Sequence, residues 1–313
     1  ICDTNILFFA DKNKIYAHFF IPLLRYFLKE YMTMRKIATL LICVLMVVGC
    51  SEKVENNKKT IYVTITPMQA LIEEITMGDF AVEVIVPKGA SPETFEPTPK
   101  QVTAFGSAEF IFSTGLIDFE QSLVKRIDGT AELVNLSEGI ELIAGSCSHG
   151  HHHHHHGVDP HVWTSPRALR TMVSNAHRAI MAHYPDSVKY NEATLRLLER
   201  IDALDTHCAT RIEASGVKAM MIYHPAYTYY ARDYGIEQIA IEHDGKEPSL
   251  RQTTALIERA KEHGVKTIFR QPQYSEDKVR AIANDAEAEI ITTDPLSEDI
   301  LGEIERITEI ICR

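Results

Sequence analysis

Residues 187–214 read SVKYNEATLRLLERIDALDTHCATRIEA, and they decide how the chain is organised. Tyr190, Leu197, Leu198, Ile201, Leu204, Cys208 and Ile212 recur there at helical spacing. Ser187 stands where an N-cap belongs, and Pro185 divides this helix from an earlier one that Pro166 opens. A run of about 28 residues is roughly 40 Å long at 1.5 Å per residue. In a compact α/β protein that length fits a strut joining two domains better than an element of either one.

Outward from the strut, both flanks alternate between strand and helix patterns. Ahead of it, Thr60-Ile61-Tyr62-Val63-Thr64-Ile65, Val82-Glu83-Val84-Ile85-Val86, Phe110-Ile111-Phe112-Ser113 and Leu133-Val134-Asn135-Leu136 read as strands, with helices opening near Pro67 and Pro99. Behind it, strands are expected at residues 219–223, 238–241, 267–269 and 289–292. Helices are expected over 227–233, from Ser249, from Ser275, and in a closing segment carrying Ile300, Leu301, Ile304, Ile307 and Ile311. Strands alternating with helices imply mostly parallel sheets. The expected fold class is therefore α/β, two similar lobes with mostly parallel sheets joined by one long helix. The N-terminal lobe is expected over 60–165, the helical segment over 166–215 and the C-terminal lobe over 216–313.

The chain has 313 residues, 45% hydrophobic and 24% charged, enough for two cores. A formal net charge of −11 argues against a nucleic-acid partner. Residues 1–33 are read as upstream translation. A start at Met34 (or Met32) gives a charged Arg35-Lys36 region and an apolar run over 37–48, too short for a membrane span and right for a signal peptide over 34–49. Val47-Val48-Gly49-Cys50 ends it in the manner of a lipobox, so cleavage before Cys50 and lipidation of its thiol are expected. Residues 50–59 are polar and read as a tether, which places the body on the periplasmic or cell-surface side of a membrane. Of the three remaining cysteines, Cys208 and Cys312 are expected to pair, while Cys147 lies in a His-rich loop over 147–157.

That loop holds His149, His151, His152, His153, His154, His155 and His156. Consecutive imidazoles cannot pack a core, and they bind borderline metals with little geometric discrimination. Asp159-Pro160-His161-Val162-Trp163 follows, with His161 held between a Pro-stiffened loop and a helix start. There is no His-Glu-x-x-His, Gly-x-Ser-x-Gly or Gly-rich phosphate loop, so a zinc-dependent hydrolase is the weaker alternative and a binding protein, not an enzyme, is expected.

Asp-Pro-His-Val-Trp after a His-rich stretch resembles the metal-binding (zinc or manganese) substrate-binding lipoproteins of bacterial ABC importers, the cluster A-I family. Gly89-Ala90-Ser91-Pro92-Glu93-Thr94-Phe95-Glu96-Pro97-Thr98-Pro99, Tyr223-His224-Pro225-Ala226-Tyr227, Glu247-Pro248-Ser249, Gln271-Pro272-Gln273-Tyr274-Ser275 and Thr292-Thr293-Asp294-Pro295-Leu296 resemble the family's other loops, in order. The resemblance implies an inter-lobe site built by Glu93, His161, His224 and Asp294. Glu93 departs from the family's usual His, so either its carboxylate ligates the ion, which is the favoured reading, or a water or a loop His fills that position. It also implies a monomer that works with an ABC permease and, through it, a cytoplasmic ATPase. Zn²⁺ is the expected cargo, with Mn²⁺ or Fe²⁺ as the alternative, because two carboxylates harden the donor set. Glu96 is expected at a helix start or interface, and His177, His183, His207 and His263 on helix surfaces. His243 stands, at most, behind the ligands.

Overall fold

The computed structural model describes residues 25–32, 34, 58–127, 129–144, 157–243 and 246–313. The lipidation reading at Cys50, Cys147 and the histidines of 149–156 lie outside the described residues. Contacts divide the chain into a unit over Ile1–Asn57 and a unit over Lys58–Arg313. In the first, residues 25–32 are helical and exposed; no described helix is long and apolar enough to cross a membrane.

In the second unit β1 (Thr60–Val63), β2 (Ala81–Val84), β3 (Phe110–Ser113) and β4 (Glu132–Asn135) form a parallel sheet in the order β2-β1-β3-β4. Strands β5 (Ala219–Ile222), β6 (Glu237–Ala240), β7 (Thr267–Arg270) and β8 (Glu289–Thr292) repeat that order as β6-β5-β7-β8, again all parallel. The two lobes are thus topologically equivalent. Inner strands β3 (FIFS) and β5 (AMMI) are buried at every position, as a sheet covered on both faces requires.

Helices α1 (Thr66–Thr76), α2 (Pro99–Phe105), α3 (Asp118–Arg126) and α4 (Pro166–His183) belong to the first half of the body. The strut is α5 (Val188–Ser215), 28 residues long, and it buries Tyr190, Leu197, Ile201, Leu204, Cys208 and Ile212. Gly216 ends it in the left-handed region at φ 68°. Ser187 occupies the N-cap position as expected, but its side chain makes no capping bond. The second lobe adds α6 (Thr228–Tyr234), α7 (Leu250–Glu262), α8 (Asp277–Ala286) and α9 (Ile300–Ile311). Ser249 closes a capping box with Gln252, whereas the helix expected from Ser275 begins at Asp277.

Helix α5 packs on α1, α4 and α9. One buried cluster runs from Ile61, Phe112 and Met172 through Leu197 and Ile201 to Ile222, Tyr230 and Ile304; a second, smaller one lies under Met221, Ile268 and Val279. The strut is therefore a wall of a core common to both lobes. Ile201 is fully buried in that wall. Ile201→Ala is expected to lower the unfolding free energy by about 2–5 kcal/mol, measured by urea titration, with both lobes lost in one transition.

Two further expectations are corrected. Cys208 and Cys312 are free, buried thiols, not a disulfide. Cys208 Sγ faces the Thr308 hydroxyl at 3.3 Å, and Cys312 follows one turn later at the end of α9. Burial pushes the Cys208 thiol up to about 11. Lys58 and Lys59, assigned to the tether, belong to the body. The Lys59 ammonium meets Glu109 at 3.0 Å and Tyr184 at 3.1 Å, and its carbonyl accepts from Ala81 N.

Candidate metal centre

In open parallel sheets, ligands bind beyond the carboxyl ends of the strands. Those ends carry the chemistry-bearing side chains here. Glu93 lies in a single 3₁₀ turn, Pro92–Thr94, in the loop after β2. His161 caps a second 3₁₀ turn, Val162–Thr164, after β4, and His224 lies two residues past the end of β5. Their ligating atoms lie within 4.8 Å of one another, the one such cluster among the described residues. Glu93 Oε1 is 3.2 Å from His224 Nε2 and 3.6 Å from His161 Nε2. The side chains are 13%, 7% and 7% exposed for Glu93, His161 and His224, low enough to strip water from an ion. The surrounding cavity is about 50 Å³, lined by Pro160, Trp163, Gln271 and Tyr274 among others. That volume suits an ion with a water or two, and is well below the several hundred Å³ of an organic-ligand pocket.

Each ring is held from behind. Asp159 Oδ1 sits 2.8 Å from His161 Nδ1 and accepts from the His161 backbone N–H at 2.9 Å. Glu242 Oε1 sits 3.4 Å from His224 Nδ1. Gln271 donates to the His224 carbonyl at 2.7 Å and accepts from its N–H at 3.3 Å. Tyr274 stacks on the His224 ring at 5.8 Å, and Trp163 packs against His161 at 5.2 Å. Trp163 Nε1 also donates to Pro295 O at 2.8 Å, and Tyr229 OH donates to Asp159 O at 2.8 Å, so the two lobes are bonded across the pocket.

The electrostatics follow from this packing. Burial alone would lower the pKa of His224, but hydrogen bonds and charge from Glu242 and Glu93 outweigh it and push it up to about 9. Burial opposes the charge on Asp159, yet His161 and Thr228 together hold its carboxyl below the usual range.

Sheet register explains which residues meet. Ile222 pairs with Ala240 on one side and with Phe269 on the other. The first ladder continues through Glu242 N to Tyr223 O at 2.8 Å, and the second through Tyr223 N to Phe269 O at 2.9 Å. Two residues beyond those pairs, His224 falls beside both Glu242 and Gln271. Asp294 follows β8, and β8 is separated from β5 by β7. Two strand spacings are about 10 Å, which keeps Asp294 out of the cluster. Its carboxylate accepts from Leu296 N at 3.0 Å and lines a neighbouring groove of about 520 Å³ with Lys88 and Gln273. Of the four residues implied by resemblance, three converge and Asp294 stands next door.

Glu242 and Gln271 were the residues the sequence reading did not single out. The available signal is position: each is the first polar side chain after its strand ends. The neighbouring His243, which stands at most behind the ligands, pairs by its backbone with Lys246 in a short bridge. Glu96 is exposed and faces Arg126 at 3.9 Å. His183, His207 and His263 pair at the surface with Glu132, Glu309 and Glu237.

Two parallel α/β lobes on a common helix, with two imidazoles and a carboxylate gathered in the seam, define a metal-binding member of the two-lobed solute-binding proteins. Comparison with known proteins gives the family: the chain belongs to the periplasmic component A family of zinc-uptake complexes, whose model matches residues 61–306. It is 29% identical over 292 residues to the zinc-binding lipoprotein AdcA of Streptococcus pneumoniae, covering 88% of this chain and 56% of that protein, so it spans little more than half of that relative's length. It is 29% identical over 272 residues to the high-affinity zinc uptake system protein ZnuA of Bacillus subtilis, covering 80% of this chain and 85% of that one. A crystal structure of ZnuA superposes with a TM-score of 0.73 at 28% identity, covering 81% of this chain and 98% of that one.

Proposed function

We propose that this protein is an extracytoplasmic receptor that captures Zn²⁺ between its lobes and delivers it to an ABC permease powered by a cytoplasmic ATPase. The observation that carries this reading is Glu93 Oε1 lying between the Nε2 atoms of His161 and His224 in a cavity of ion size. Glu93, His161 and His224 hold the ion, and a water completes the shell, with Asp294 standing in the adjoining groove. Two imidazoles and one carboxylate are a softer set than two of each, which favours Zn²⁺ over Mn²⁺ or Fe²⁺. The zinc-binding and zinc-uptake names of the relatives support the same cargo. Lipidation at Cys50 holds the monomer at the membrane, and the histidines of 149–156 serve as an accessory ion-gathering tract. The common core and the bonds across the seam oppose wide lobe opening, so the ion leaves by movement of the loops.

The test uses protein purified without chelating resin and lacking residues 149–157. It is expected to bind one Zn²⁺ per chain. Glu93→Ala is expected to lower the affinity about 100-fold, one ligand's share of a four-ligand site, and Glu93→His to restore most of it. A tract-deleted protein that retains no divalent ion would overturn the proposal.

A further inference from the structure

We propose that Glu242, matched by Asp159 in the other lobe, sets the preference of the pocket for a nitrogen-seeking cation over a hard one. The inference rests on the reading of the pocket as a metal site and adds residues that lie outside the ligand set.

The geometry is the same in both lobes. One ligand histidine presents Nε2 to Glu93, and a carboxylate stands at Nδ1 on the far side. Both carboxylates are buried, Asp159 at 4% and Glu242 at 5% exposure. A buried carboxylate carries a desolvation cost of several kcal/mol, and a charged or donating partner offsets it. For Asp159 the partner is two residues away in the chain. For Glu242 it is 18 residues away and reached through the β5–β6 ladder, so the contact is made by the sheet and not by a local turn.

Such a carboxylate does two things to the ring. Once the ion has displaced the ring's acidic proton, the carboxylate holds hydrogen on Nδ1 and leaves the Nε2 lone pair to the ion; without it, Glu93 at 3.2 Å favours hydrogen on Nε2, where the ion must sit. It also pushes charge into the ring and makes Nε2 a stronger donor. Zn²⁺ gains more than Mn²⁺ from a stronger nitrogen donor, because it lies higher in affinity for nitrogen ligands. Glu93 supplies a hard oxygen that both ions accept. Glu242 and Asp159 therefore widen the gap in favour of Zn²⁺ without touching the ion.

Glu242→Gln keeps the shape and a hydrogen-bond acceptor but removes the charge; Glu242→Ala removes both. Each is titrated, in tract-deleted protein, with Zn²⁺ and separately with Mn²⁺. For Glu242→Gln the Zn²⁺ affinity is expected to fall about 10- to 100-fold and the Mn²⁺ affinity by a smaller factor, so that the Zn²⁺/Mn²⁺ ratio drops about tenfold. Glu242→Ala is expected to lower the ratio at least as far. A merely structural role would lower both affinities alike, and an unchanged ratio overturns the inference. As a second readout, imidazole ¹⁵N resonances of the Zn²⁺-loaded protein are expected to show His224 protonated at Nδ1 and metal-bound at Nε2; the reverse tautomer overturns it. Failure of the unaltered protein to bind either ion is a different result, and sinks the proposed function itself.

Discussion

His224→Ala is expected to lower the affinity for Zn²⁺ by about 100- to 1000-fold, measured by competition with a chromophoric chelator on tract-deleted protein. The size follows from dividing an ion-binding free energy of about 10–16 kcal/mol among four ligands, which gives about 3 kcal/mol each, a little over two decades. His224 has a second role that Ala would also remove. It stands between Glu93 Oε1 at 3.2 Å and Glu242 Oε1 at 3.4 Å, so its loss leaves two buried carboxylates without the cation between them. The metal-free variant is therefore expected to unfold at lower urea than the parent, and that measurement separates lost ligation from lost fold. An unaltered Zn²⁺ affinity in a folded His224→Ala protein would place the ion elsewhere.

The second large effect is on pH. With His224 pushed up to about 9, the metal-free pocket carries a proton on the ring at neutral pH, and an ion must displace it. Affinity for Zn²⁺ is expected to fall about tenfold per pH unit below about 9, roughly 100-fold between pH 8 and pH 6, and to level off above 9. Calorimetry at pH 7 in buffers of different ionisation enthalpy is expected to show release of about one proton per ion. The metal-free fold responds with the opposite sign. A histidine whose pKa is raised on folding from about 6.5 to about 9 contributes stability that is complete below 6.5 and lost as pH rises through 9. The contribution is about 3 kcal/mol at its largest. Acidification from pH 8 to 6 should thus stabilise the metal-free protein while weakening ion capture. A metal-free stability that rises with pH over that window, or an affinity independent of pH, would show that the ring is neutral before the ion arrives.

The chain's architecture and its site were legible to different depths. Periodicity alone marks a 28-residue helix, because a helix with one buried stripe must repeat its apolar residues every three to four positions, and α5 does so from Tyr190 to Ile212. Eight short strands separated by helices leave little but parallel sheets, and all eight are found, with ends displaced by a residue or two where chain extension outlasts pairing. The loops bearing Glu93, His161 and His224 were found by motif resemblance, since local sequence sets each loop but not its distance from the others.

Only the tertiary structure chose among those loops. Strand order put β6 and β7 on either side of β5, and so brought Glu242 and Gln271 to His224 and left Asp294 one strand too far. It also set a hydroxyl opposite Cys208 where a disulfide was expected, and drew Lys59 into the body. Sequence by itself determined which segments extend, coil and bury a face, because those depend on neighbours a few residues apart. Which side chains meet depends on lateral order and register between strands many residues apart, and those are decided only when the sheets assemble.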